Sequence, residues 1–66
     1  MKSKGILFWA YLDDQGKVYV KRYVNDRIIR NFESMPYVKG IFDPFYARDM
    51  HEARIKVYAR YIQELN

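Results

Sequence analysis

The chain is short, basic and free of cysteine, and these properties bound what it can be. Its 66 residues include twelve Lys and Arg against eight Asp and Glu, which gives a net charge of +4. A chain of this length is expected to fold as one small domain, residues 1–66, with residues 1–4 as a flexible basic arm. The absence of cysteine excludes disulfides and thiolate metal sites. No stretch is apolar over the length that a membrane span needs, and a cytoplasmic protein fits the composition most simply.

A tight-turn signal sets the register of the first two predicted strands. The segment 13–16, Asp-Asp-Gln-Gly, predicts a three-residue hairpin loop that ends in a glycine at positive φ. The loop joins a strand at 5–13 to a strand at 17–24. The predicted cross-strand pairs are Asp13 with Lys17, Leu12 with Val18, Tyr11 with Tyr19, Ala10 with Val20 and Trp9 with Lys21.

A third strand is predicted at 27–33, because Asn25 and Asp26 tolerate the left-handed conformation of a two-residue turn. Residues 34–48 have no clean period and are broken up by Pro and Gly, so they are predicted to form an irregular connection that packs on the body. Within them, Asp43-Pro44 is suited to open a helical turn.

Side chains alternate along strands, so this register assigns each strand residue to one of two faces. The aliphatic face suits a core and collects Ile6, Phe8, Ala10, Leu12, Val18, Val20, Val24 and Ile29, with Arg22 and Arg27 toward one end. The aromatic face mixes rings with cations and collects Leu7, Trp9, Tyr11, Tyr19, Lys21, Tyr23, Ile28, Arg30 and Phe32.

The last segment is predicted to be a helix that begins at a capping box of Asp49 and Glu52 and runs to Leu65. Its apolar stripe is predicted to contain Ile55, Tyr58, Ile62 and Leu65, flanked by Val57, Ala59 and Tyr61. The stripe should pack on the aliphatic face, which gives an α+β domain: a three-stranded antiparallel sheet on one C-terminal helix, in the order β-β-β-α.

Catalysis has little support in the sequence. The best catalytic or metal-binding candidates are Asp43, Asp49, His51 and Glu52. Asp49 and Glu52 are better explained as helix caps, and a lone histidine without companion ligands at metal spacing is weak evidence for a site. We therefore expect a non-enzymatic protein with no metal and no cofactor.

The aromatic face favours nucleic-acid binding, because rings stack on bases while Lys and Arg neutralise phosphates. The predicted contact residues for double-stranded DNA are Trp9, Tyr11, Lys17, Tyr19, Lys21, Tyr23, Arg27 and Arg30. One alternative is a protein-interaction module, such as an inhibitor of a host protein, that uses the same face. Another is that residues 34–48 cover this face as a second core, although burying Lys21 and Arg30 would be costly. A monomer or a weak homodimer is expected.

The predicted order of elements resembles the amino-terminal arm-site-binding domain of phage and transposon tyrosine integrases. The resemblance is carried by the segment 7–17, where an aromatic strand meets an Asp/Gly turn, by the basic strand 18–24, and by Glu52-Ala53 near the start of the capped helix. It implies a three-stranded sheet placed in the DNA major groove. It also implies a small accessory or regulatory protein of a virus or mobile element.

Overall fold

The computed structural model describes residues 5–65, with side chains described as far as residue 61. Its elements are β1 (Ile6–Asp13), β2 (Val18–Arg22), α1 (Asp26–Glu33), β3 (Val38–Ala47) and α2 (Met50–Leu65). The three strands form one antiparallel sheet in the order β2-β1-β3, so β2 and β3 are its two edges. The α+β class with a three-stranded antiparallel sheet is confirmed. The predicted arm at residues 1–4 lies outside the described residues.

The hairpin of β1 and β2 has the predicted register, and Leu12 pairs with Val18 as expected. Gly16 has φ +82°, the left-handed conformation that the loop requires. The carboxylate of Asp13 accepts hydrogen bonds from the backbone N–H groups of Gln15 (2.9 Å) and Lys17 (2.8 Å). These bonds lower the pKa of Asp13, the bond from Lys17 being the largest cause.

The third strand is not where the sequence predicted it, because residues 27–33 lie in α1. Asn25 is the N-cap of this helix, and its side-chain oxygen accepts the N–H of Ile28 at 3.1 Å. Asn and Asp favour both helix caps and tight turns, so this pair of residues fits either structure. The helix also carries Asp26 in its first turn and Arg30 in its last, as the helix dipole favours.

The third strand is instead β3, within the segment 34–48 that was predicted to be irregular. The ladder to β1 shifts between Phe8 and Ala10, where two residues of β3, Asp43 and Pro44, stand opposite one residue of β1. Such a bulge on an edge strand accommodates a proline, which cannot donate to the ladder. The prediction that Asp43-Pro44 opens a helical turn is therefore wrong.

The two helices cover opposite faces of the sheet, so the domain has three layers rather than two. Helix α2 packs on the aliphatic face, where Ala53 contacts the cluster around Phe8 and Val57 contacts the cluster around Ala10. Helix α1 packs on the aromatic face through Phe32. It carries the chain from one edge strand to the other across β1. Neither described helix has the length and apolar character of a membrane span.

The start of α2 is capped largely as predicted. The N–H of Glu52 donates to the Asp49 side chain at 2.9 Å. The Glu52 carboxylate in turn accepts from the backbone N–H of Arg48 and from its guanidinium, both at 2.9 Å. These contacts hold the pKa of Glu52 below its usual value and that of Arg48 above it.

The buried stripe of α2 differs from the predicted one. Ala53 and Val57 are buried against the sheet, whereas Ile55 is 55% exposed and Tyr58 45% exposed. Small residues at the contact let the helix approach a sheet face that already carries bulky phenylalanines. The side chains of the other two predicted stripe residues, Ile62 and Leu65, lie outside the described part of the chain.

Candidate nucleic-acid interface

The aromatic face is closed by α1. Trp9 is 1% exposed and Tyr11 is 6% exposed. The Phe32 ring of α1 lies 5.2 Å from the ring of Trp9, edge to face, and 4.8 Å from that of Tyr11. One alternative drawn from the sequence was a cover made by residues 34–48, but the cover is supplied by α1. Trp9 and Tyr11, both predicted to contact DNA, are core residues in this structure.

The cluster continues to the edge of the sheet, where it meets two lysines. The ring of Tyr19 stacks on that of Tyr11 with centroids 4.9 Å apart and planes inclined by 16°. The Nζ atom of Lys17 lies 5.2 Å from the Tyr19 ring, and that of Lys21 lies 5.6 Å from the Phe32 ring. Both lysines are exposed, so closing the aromatic face does not bury them.

The hydroxyls of this edge are held in the protonated form. Loss of solvent contact is the main cause that raises the pKa of Tyr11 and of Tyr19, and a hydrogen bond to Asp13 also raises that of Tyr19. The hydroxyl of Tyr23 donates to Asp26 at 2.8 Å, which raises the pKa of Tyr23 and ties the end of the hairpin to α1.

A groove runs along the free edge of β2, between that strand and α2. It is lined by Lys17, which precedes the strand, by Val18, Tyr19, Val20 and Lys21 of the strand, and by Arg54 and Tyr58 of the helix. The side chains of Lys17, Tyr19 and Lys21 lie on the aromatic face, whereas Arg54 and Tyr58 belong to the helix on the opposite face, so the two sets flank the edge of β2 from its two sides. Three of its lining residues are cations and two are tyrosines. The carboxylate of Asp13 lies beside it, hydrogen-bonded to the N–H of Lys17 and to Tyr19. The groove brings together three of the eight predicted contact residues: Lys17, Tyr19 and Lys21.

The remaining predicted cations lie elsewhere. Arg27 and Arg30 are exposed on α1 and do not line the groove. Arg54 and Tyr58 were missed as contact residues, because the sequence assigned Tyr58 to the core and gave Arg54 no role. The signal that was available is their spacing, since residues four apart on a helix share one side.

The floor of the groove exposes backbone polar groups. The N–H of Asp13 donates to the carbonyl of Lys17 and the N–H of Tyr23 donates to that of Leu7, both at 2.9 Å. Hydrogen bonding alternates along an antiparallel pair, so Lys17, Tyr19, Lys21 and Tyr23 direct their backbone groups toward β1. The residues between them direct their N–H and C=O groups outward, and these are Val18, Val20 and Arg22.

The residues with catalytic potential are dispersed. Among the described residues, no group of three or more His, Asp or Glu side chains is arranged to hold a metal ion. Asp49 and Glu52 are engaged at the start of α2, and Asp43 lies in the bulge of β3. His51 is exposed in the first turn of α2.

No family model, curated protein or solved structure matches this chain. The resemblance to the arm-site-binding domains of integrases therefore stays a prediction.

Proposed function

We propose that the protein is a non-enzymatic nucleic-acid-binding module that holds a sugar-phosphate backbone along the free edge of β2. The observation that carries the proposal is the concentration of three cations and two tyrosines on the two sides of the free edge of β2. The nearby carboxylate of Asp13 is occupied by the backbone N–H groups of the hairpin turn. Lysine and arginine bind phosphates and release their counterions, while tyrosine rings stack on bases or hydrogen-bond to the backbone. The lining therefore combines the two chemistries that nucleic acids require.

The dimensions of β2 also suit a phosphate backbone. Lys17 directly precedes β2 and Lys21 lies within it. Four residues of extended chain separate their Cα atoms by about 13 Å. A strand of duplex DNA carries one phosphate for about every 3.4 Å of helix axis, so the two lysines span several phosphates. Arg54 of α2, on the other face of the sheet, supplies a third cation beside this edge.

The sequence predicts double-stranded DNA as the ligand, bound on the aromatic face of the sheet. The fold changes the expected contact surface. Because α1 covers the aromatic face, a duplex would meet the edge of β2 rather than the open sheet. The exposed Arg27 and Arg30 of α1 would then extend the contact. A cytoplasmic accessory or regulatory protein of a virus or mobile element fits such a role.

The alternative, a protein-interaction module built on the aromatic face, is less well supported. Its two principal anchors, Trp9 and Tyr11, are buried under α1 and present almost no surface to a partner. The exposed cations at the edge of β2 remain accessible and favour a polyanion over an apolar protein surface.

The affinity for nucleic acid is expected to fall as the salt concentration rises. If the three groove cations meet three phosphates, the log–log dependence of affinity on salt concentration should have a slope of about −2.7 for duplex DNA and about −2 for a single strand. Fluorescence anisotropy of labelled oligonucleotides over a salt series measures it. A flat salt dependence, or no binding at low salt, would contradict the proposal.

A matched pair of charge reversals localises the contact. Lys21→Glu should weaken binding about tenfold and reduce the magnitude of the salt slope by about 1, as expected for a phosphate contact. Lys39→Glu makes the same change in net charge on β3, the other edge of the sheet, and should have little effect. Equal losses in the two variants would show that only the overall charge matters.

A further inference from the structure

We infer that the preferred ligand is single-stranded, with unpaired bases that meet the free edge of β2 and stack on Tyr58. This inference rests on the proposed function and specifies the class of nucleic acid. The lysines and Arg54 would hold the phosphates in the same way for either class. Two features of the groove, its backbone floor and the ring of Tyr58, distinguish a single strand from a duplex.

The backbone floor offers hydrogen-bonding groups that a duplex would leave unused. Val18, Val20 and Arg22 direct N–H and C=O groups outward, at intervals of about 6.6 Å along the strand. The Watson–Crick edge of a base presents donors and acceptors of the same kind, and in a duplex these are already paired. Only an unpaired base can bring this edge to the strand.

The ring of Tyr58 is available for stacking. It is 45% exposed, and among the described side chains it has no aromatic partner. The ring of Tyr19, on the other face of the sheet, already stacks on that of Tyr11. Stacking of a base on an aromatic side chain makes a substantial contribution to single-strand binding and tolerates any base, whereas bases inside a duplex are stacked on one another.

Two other occupants of the free edge are less well matched. A second copy of the chain would bring Lys17, Lys21 and Arg22 against the same cations, and charged edge strands oppose such pairing. An extended acidic peptide would use the backbone groups and cations as an added strand. Such a peptide would gain little binding energy from the exposed ring of Tyr58. The effect of replacing Tyr58 therefore distinguishes an acidic peptide from a nucleic-acid single strand.

The test compares three probes at one salt concentration: a mixed-sequence DNA single strand of about 12 nucleotides, the duplex of the same sequence, and a polyglutamate peptide of about the same length. The single strand should bind about tenfold more tightly than the duplex. Tyr58→Ala should weaken single-strand binding about tenfold and change duplex binding less than about twofold. Ile55→Ala, an exposed change on the same helix, is the control and should change neither.

The outcomes separate this inference from the proposed function. Duplex binding at least as tight as single-strand binding, with no effect of Tyr58→Ala on either, would overturn the single-strand inference and leave nucleic-acid binding intact. Failure to bind either nucleic acid, or tighter binding of polyglutamate, would overturn both. If thermal melting shows that Tyr58→Ala is unfolded, Tyr58→Leu keeps an apolar side chain without the ring and decides by the same criteria.

Discussion

Replacing Trp9 with alanine is expected to lower the free energy of unfolding by about 3–5 kcal/mol. Trp9 is 1% exposed, and its ring lies 5.7 Å from the ring of Tyr11 and 5.2 Å from that of Phe32. Removing it leaves a cavity between the sheet and α1 that the neighbouring rings cannot fill. Because small domains have only about 5–15 kcal/mol of stability, this loss is a large share of the total. Unfolding in urea measures the change.

Two further variants show whether α1 is the cover. Val24→Ala, at a residue that is 67% exposed, should change stability by no more than about 0.5 kcal/mol. A double-mutant cycle of Trp9→Ala with Phe32→Ala should give a coupling energy of about 0.5–1.5 kcal/mol, as aromatic pairs do. A Trp9→Ala variant as stable as Val24→Ala would show that the aromatic face is open. The protein-interaction alternative would then regain its two main anchors.

Val57→Ala is expected to cost about 2 kcal/mol, from the loss of buried methyl groups and the space they leave. Val57 is 3% exposed and contacts the cluster around Ala10 in the sheet. Ile55→Ala removes more hydrocarbon from the same helix, but Ile55 is 55% exposed, so it should cost little beyond a small change in helix propensity. Urea unfolding of the two variants measures the difference. If Ile55→Ala were instead the less stable variant, α2 would pack on the sheet through the stripe that was predicted from the sequence.

The hairpin could be predicted because its determinants are local. The turn at 13–16 requires a glycine at positive φ, and strict alternation then fixes which side chains share a face. The pairing of Tyr11 with Tyr19 and the position of Lys21 opposite Trp9 follow from that register and are confirmed.

Local sequence could not show that the segment predicted as the third strand is helix α1, or that the segment predicted as irregular contains strand β3. In α1, Ile28 and Ile29 are β-branched, and a short apolar run of this kind fits either element. In β3, Gly40 and Pro44 read locally as loop residues. Pairing with β1 overrides that preference, because an edge strand with a bulge tolerates both.

Only the β2 side of the groove could be predicted from the sequence, because local pattern places its residues whereas tertiary packing places those of α2. Lys17, Tyr19 and Lys21 belong to the hairpin, so alternation alone places them together. Arg54 and Tyr58 reach the edge of β2 only because α2 packs through Ala53 and Val57, which turns Tyr58 away from the core. The larger side chains of Ile55 and Tyr58 suggested a buried stripe centred on them, with Val57 only at its flank. A pattern weighted by hydrophobicity does not anticipate a contact centred on Ala53.

The most direct test of the proposed site is a titration of the ¹⁵N-labelled protein with a DNA single strand, followed by backbone amide chemical shifts. The largest changes are expected along β2, from Val18 to Arg22, and on the part of α2 around Arg54 and Tyr58. The amides of Lys39 and Ile41 on the opposite edge should change little. Changes concentrated on β3, or on α1 without β2, would contradict the assignment of the nucleic-acid site to the free edge of β2.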